Sequence, residues 1–111
     1  MDNIKDDEYY RDKIILDIEH IIKHMENVDR NALAENEILL DALEFRLIQI
    51  SESTKHLSEK FKEDHSEVEW PLIVGLRNVL VHDYDNVDYD VVYETLKNDV
   101  VELVGQLKKG D

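Results

Sequence analysis

The sequence predicts an all-α protein, an up-and-down four-helix bundle forming one domain over residues 1–111. Three observations carry this expectation. Only 3 Gly and 1 Pro occur in 111 residues, whereas turn-rich β proteins consume both. Apolar residues recur at steps of three and four along most of the chain. Hydrophobic residues make up 42% and charged residues 36%, the balance of helices that bury one face and carry ions on the other.

Residues 9–26 read as a first helix on the stripe Ile14, Ile18, Ile21 and Met25, widened by Ile15 and Ile22. Lys13, Asp17, Glu19, Lys23 and Glu26 fall largely off that stripe. Residues 27–31 form a polar break, and Asn36 is placed to cap the next helix. A long second helix is expected over residues 37–61, with Leu39, Leu40, Leu43, Leu47, Ile50, Leu57 and Phe61 inward and with Ser51, Ser53 and Thr54 interrupting the apolar side. Residues 64–67 read as a loop.

Trp70–Pro71 opens a third, short helix, because the N–H that Pro lacks would be unpaired there anyway. Leu72, Ile73, Leu76, Val79 and Leu80 form its inward side, and Trp70 reads as a core anchor. The helix frays near residues 82–86. Asp88 resembles an N-cap for a fourth helix whose inward residues are Val91, Val92, Leu96, Val100, Leu103, Val104 and Leu107, with Gly110 as its stop.

Composition narrows the function classes. The chain has no cysteine, which removes disulfides, thiolate metal sites and cysteine nucleophiles and fits a reducing compartment. The charged start, with no apolar signal core, and the lack of a bilayer-length apolar run point to a cytoplasmic protein with no membrane association. The formal net charge is −14. That works against general nucleic-acid affinity, which comes from Lys and Arg neutralising phosphates. An RNA partner therefore has to be gripped locally, or basic surface has to come from another protein.

The segment from Trp70 to Tyr84 concentrates chemistry. A guanidinium (Arg77), an imidazole (His82) and a phenol (Tyr84) fall within eight residues at one helix end. On an α-helix Arg77 and Tyr84 share a face, Asn78 and His82 share a neighbouring one, and His82 lies about 140° from Arg77, a gap that a long Arg side chain bridges. These groups suit RNA cleavage by internal transesterification. A histidine titrating near neutrality can move a proton from the ribose 2′-OH or to the leaving 5′-oxygen. A forked guanidinium stabilises the negative charge gathering on phosphorus without a metal. One histidine per chain cannot easily be acid and base together, so the chemistry predicts two copies across a dimer interface. Asn78 reads as an orienting partner for His82, Asp83 as a solvated neighbour that can also raise the basicity of His82, and Glu52 as either a cleft residue or an ordinary surface charge.

The pattern Arg77-x4-His82-x-Tyr84, with Trp70, Gly75, Asn78, Val87–Asp88 and a Val-rich last helix around it, resembles the HepT-like toxins of the HEPN superfamily. The resemblance covers Ile14 to Leu107. The chain departs from it where many relatives carry Ile-Gly-Glu-Ala and this sequence has Ile50–Ser51–Glu52–Ser53. The resemblance implies a homodimer with the signature residues lining a cleft at its interface, acting as a metal-independent endoribonuclease with no cofactor. It also implies a cognate minimal nucleotidyltransferase (MNT) antitoxin, which neutralises the toxin by binding and by transferring AMP to the signature tyrosine. Carried over, Arg77 and His82 are catalytic and Tyr84 is the modified, substrate-positioning residue. AMP on Tyr84 would add negative charge and bulk beside the guanidinium.

Competing readings stand beside these. Arg77 and His82 can serve a helix C-terminus purely structurally. The whole bundle can be a non-catalytic docking module for a nucleotidyltransferase. His20 and His24 have a metal-compatible i, i+4 spacing but no third ligand in the pattern, and they read, with His56 and His65, as exposed. Arg46, Lys55, Lys60 and Lys62 form either a phosphate track or an ordinary charged face.

Overall fold

The computed structural model describes residues 6–81 and 88–109, with side chains at 80 and 81 left undescribed. Every regular element among them is helical. Helix α1 (Asp7–His24) is capped by Asp6, whose carboxylate accepts from Tyr9 N–H at 3.0 Å. Helix α2 (Arg30–Glu35) comes next, then α3 (Glu37–Lys55), α4 (Glu59–Asp64) and α5 (Trp70–Val74). A 3₁₀ turn (Gly75–Arg77) leads into α6 (Asn78–Val81). Beyond the undescribed stretch, α7 (Tyr89–Glu94) runs through a π turn (Thr95–Asp99) into α8 (Val100–Lys108).

The core joins Ile14, Ile18, Ile21 and Met25 of α1 to Leu43, Leu47 and Ile50 of α3 and to Val92, Leu96, Val100, Leu103 and Leu107 of the last helical run, all essentially without solvent exposure. Helix α1 is central and packs on α3 and on α8. The α5 segment and its 3₁₀ turn pack on the other flank of α3, and α2 lies against α7. Burying each such side chain contributes about 1.5–3 kcal/mol, so this apolar seam orients every other element.

Several sequence expectations change. The polar break contains a helix of its own, because the Asp29 carboxylate caps it by accepting from Ala32 N–H at 2.8 Å and Leu33 buries fully beneath it. The expected second helix divides after Lys55. Ser58 starts α4 by accepting from Phe61 N–H through its hydroxyl. The same hydroxyl donates to Asp7 at 2.6 Å and the Ser58 N–H donates to it at 2.8 Å, and these bonds hold the Asp7 carboxyl below its usual pKa. Asn36 and Asp88 cap α3 and α7 as expected. Gly110 lies outside the described residues.

Exposure departs from the pattern where a residue sits off the buried line. Val91 is 52% exposed, since the line through Val92, Leu96 and Val100 leaves it about 100° away. Ile22 is likewise exposed, while Ile15 is buried. Leu72, expected inside, is 64% exposed because a cleft opens there between α5 and α8.

Asp17 is the reverse case. It falls only about 60° from the centre of the α1 stripe, and α3 covers it. Its carboxylate accepts from Arg46 at 2.8 Å, Lys13 Nζ stands 3.8 Å away, and Lys13 also donates to Gln49 at 2.7 Å. One Asp17 oxygen, Oδ2, is buried with no hydrogen-bond partner among the described residues. This cross-link fixes α1 against α3. Asp17→Ala is expected to lower the unfolding free energy by about 2 kcal/mol, because it strands Arg46 beside an emptied site. Urea denaturation followed by circular dichroism measures it.

Candidate functional site

The candidate site is built where the α5 segment meets α3. Trp70 anchors the start of that segment. Its indole N–H donates to the carbonyls of Lys62 (3.1 Å) and His65 (3.2 Å), and its ring meets Phe61 edge-on. His65 is half-buried rather than exposed, stacked on Phe61 at 4.2 Å with Nδ1 2.9 Å from the Phe61 carbonyl. Pro71 sits in the first turn of α5.

The chain then tightens. Asn78 N–H bonds to Gly75 O rather than to Val74 O, so the Val74 carbonyl takes Arg77 N–H, the 3₁₀ partner, in place of the donor that a continuous α-helix would provide. Ser51, fully buried on α3, donates its hydroxyl to that carbonyl. The adjoining Ser53 and Thr54 are also buried, and Thr54 turns its hydroxyl to Ile50 O at 2.8 Å. Small polar residues on this stretch of α3 thus let the third segment approach closely. The serine that departs from the resemblance has a defined role, holding the helix where it changes pitch. A Cβ on Gly75 would meet nothing within 4 Å, so the turn does not depend on that glycine for space.

The tightened turn delivers Arg77 beside Glu52. Arg77 Nη1 lies 3.6 Å from Glu52 Oε1, and Lys55 Nζ lies 3.2 Å from the same oxygen. Among the described residues, two cations therefore share this one carboxylate, in a chain of net charge −14. The side chains of Arg77 and Glu52 are 48% and 46% exposed. A pair so open to water contributes little to folding, which leaves the guanidinium available to an incoming anion. Asn78 is exposed at the start of α6, next to Arg77.

Of the residues singled out from the sequence, the structure brings Arg77 and Glu52 together and sets Asn78 alongside. His82, Asp83 and Tyr84 lie outside the described residues. Arg46, read as a surface charge, is committed to Asp17 instead. Lys60 pairs with Asp64 at 3.0 Å, which raises its pKa. His20 and His24 stack with ring centres 6.2 Å apart, and no cluster of three metal-ligating side chains occurs among the described residues. Nor is any described helix long and apolar enough to cross a membrane.

Sequence periodicity did not single out the outer face of α3. Ile38 is 82% exposed and Phe45 53% exposed. They are seven apart, and Glu52 is seven further on, so all three fall on one line of the helix. An i, i+7 search confined to polar-facing positions would have found them.

An all-helical fold with a half-exposed arginine held beside Glu52 at a pitch change defines a small helical protein that presents a guanidinium to solvent. The chain belongs to the HepT-like ribonuclease family, whose match spans residues 12–109. It is 31% identical over 100 residues to a protein named as an inferred RNase in Caldanaerobacter subterraneus subsp. tengcongensis, covering 90% of this chain and 89% of that one. It is 30% identical over 83 residues to another inferred RNase, from Methanocaldococcus jannaschii, covering 75% and 76%. A protein named "Probable ribonuclease HepT" in Thermococcus cleftensis is 30% identical over 97 residues, covering 84% and 88%. No solved structure matches the chain at a significant level.

The exposure of the Arg77–Glu52 pair sets a stability expectation. Arg77→Ala should change the unfolding free energy by less than about 1 kcal/mol, measured by urea denaturation, so that any functional loss in that variant is not a folding defect.

Proposed function

We propose that the chain is the toxin of a toxin–antitoxin pair, a metal-independent endoribonuclease. The observation that carries this reading is the family match over residues 12–109, which contains Arg77, His82 and Tyr84 at the signature spacing. The half-exposed Arg77, shared with Glu52 and loosely held, supports it.

In this mechanism the ribose 2′-OH attacks the adjacent phosphorus and the bond from phosphorus to the 5′-oxygen breaks. His82 of one protomer takes the 2′ proton, and His82 of the partner subunit delivers a proton to the leaving oxygen. The products are a 2′,3′-cyclic phosphate and a 5′-hydroxyl. Arg77 leaves Glu52 for the phosphate, and two of its five N–H donors stabilise the charge that builds there. Glu52 orients the guanidinium before substrate arrives, Asn78 and Asp83 support His82, and Tyr84 positions the phosphate. A cognate minimal nucleotidyltransferase antitoxin transfers AMP from ATP to the Tyr84 hydroxyl, which loses its proton as pyrophosphate leaves, and so blocks the site with charge and bulk.

The proposed assembly is an up-and-down four-helix bundle of one domain that pairs as a homodimer in the cytoplasm. The Ile38–Phe45–Glu52 line supports the pairing, because its apolar end is uncovered and its polar end reaches Arg77. Two such faces meeting would shield Phe45 and bring both arginines to one cleft. A second reading, a docking module without catalysis, is favoured by the net charge of −14, which repels bulk RNA.

Purified protein in excess EDTA is expected to cleave RNA to cyclic-phosphate ends. Arg77→Ala and His82→Ala should each lose at least about 100-fold in rate, read on a labelled RNA by gel. Undiminished cleavage by His82→Ala rejects the mechanism, and absence of cleavage by the unaltered protein favours the docking module. Phe45→Asp, on the solvent face of α3, should yield a folded monomer in analytical ultracentrifugation. A dimer of unchanged affinity would place the interface elsewhere.

A further inference from the structure

A second surface, whose lining does not include Arg77, has the opposite character. Between α5 and the π turn with α8 lies a cleft of about 240 Å³. Its buried apolar lining is Val68, Leu76 and Leu103, Leu72 stands exposed at its edge, and Glu67, Glu69, Asp99 and Glu102 also line it. Among the described residues, no lysine or arginine lines it. Asp99 also borders a shallower hollow formed with Asp90, Val91 and Glu94, so the acidic lining continues along α7 as far as Asp90, whose carboxylate pairs with Arg30. Leu72 and Val91, each more than half exposed, mark the two ends.

We propose that this cleft is the docking site for a basic amphipathic helix of a partner protein. The partner's apolar side chains would cover Leu72 and Val91, and its Lys and Arg would meet the rim carboxylates. Charge complementarity selects this occupant. RNA and a second copy of the chain are both anionic and would be repelled by four clustered carboxylates. A small polycation would satisfy the rim and leave the leucine in water, whereas a helix in a groove satisfies both. The proposal is independent of the nuclease reading, since it uses none of the residues assigned to cleavage.

The probe is a fluorescein-labelled synthetic helix of about 18 residues with Leu on one face and Lys and Arg on the other, titrated by anisotropy against the full chain at about 0.15 M salt. Saturable binding is expected. Glu69→Lys with Glu102→Lys should weaken it about tenfold or more, while Glu26→Lys with Glu35→Lys, the same charge change elsewhere, should weaken it less than about threefold. Leu72→Ser, which leaves the charge unaltered at an exposed position, should weaken it at least about threefold. A peptide of equal charge lacking leucine should bind about tenfold more weakly. The proposal is overturned by absence of saturable binding, by equal losses in the two charge-reversal pairs, by no effect of Leu72→Ser, or by equal binding of the leucine-free peptide. It is also overturned if Leu72→Ser converts a dimer to a monomer in ultracentrifugation, which would make the cleft a contact between copies.

Discussion

The buried hydroxyl of Ser51, donating to the Val74 carbonyl, is the contact on which the site rests. A carbonyl at a helix-to-3₁₀ junction exchanges its α-helical donor for the residue three along, and the Ser51 hydroxyl adds a second, buried hydrogen bond that contributes about 0.5–1.5 kcal/mol. Only a short side chain can supply that donor while letting two helices come close. Ser51 meets both demands, and its position on α3 places Glu52, the next residue, at the edge of the contact. Arg77, three residues beyond Val74, then arrives beside Glu52. The site is a consequence of a pitch change and the serine that accommodates it.

The molecule also resolves its charge conflict by segregation. A chain of net charge −14 can still present a positive locale if carboxylates gather elsewhere. Arg77 and Lys55 share a single Glu52 on one side of the structure. On another, the rim of the α5–α8 cleft concentrates four carboxylates with no cation among the described lining residues. Arg46 and Lys13, which could have added to a basic face, are drawn inward by Asp17. Strongly anionic composition is thus compatible with an anion-ready arginine, because electrostatic fields near a surface are set by the nearest few groups.

Much of the fold was legible in the sequence. The inward lines Ile14–Ile18–Ile21–Met25 and Val92–Leu96–Val100–Leu103–Leu107 are buried as their spacing implies. The caps at Asn36 and Asp88 act as their residue types suggest. Asp17 reads as an outer charge when polarity outweighs position, yet it sits within the arc that α3 covers. The division of the second helix at His56–Ser58 is hidden because the apolar pattern, interrupted by Ser51, Ser53 and Thr54, resumes in helical register at Leu57 and Phe61. In the site, the spacing of Arg77, His82 and Tyr84 is plain, but the partnership of Arg77 with Glu52 joins residues 25 apart in the chain and could not be read from local periodicity.

The sequence by itself determined the helical class, the family signature and the capped starts at Asn36 and Asp88, because these depend on residue type and short-range spacing. The tertiary structure decided which charges are spent inside and which stay free, and where the third segment changes pitch. Those outcomes depend on what lies across the packing surface: whether α3 covers Asp17, and whether a donor waits opposite Val74. No window along the chain contains that information.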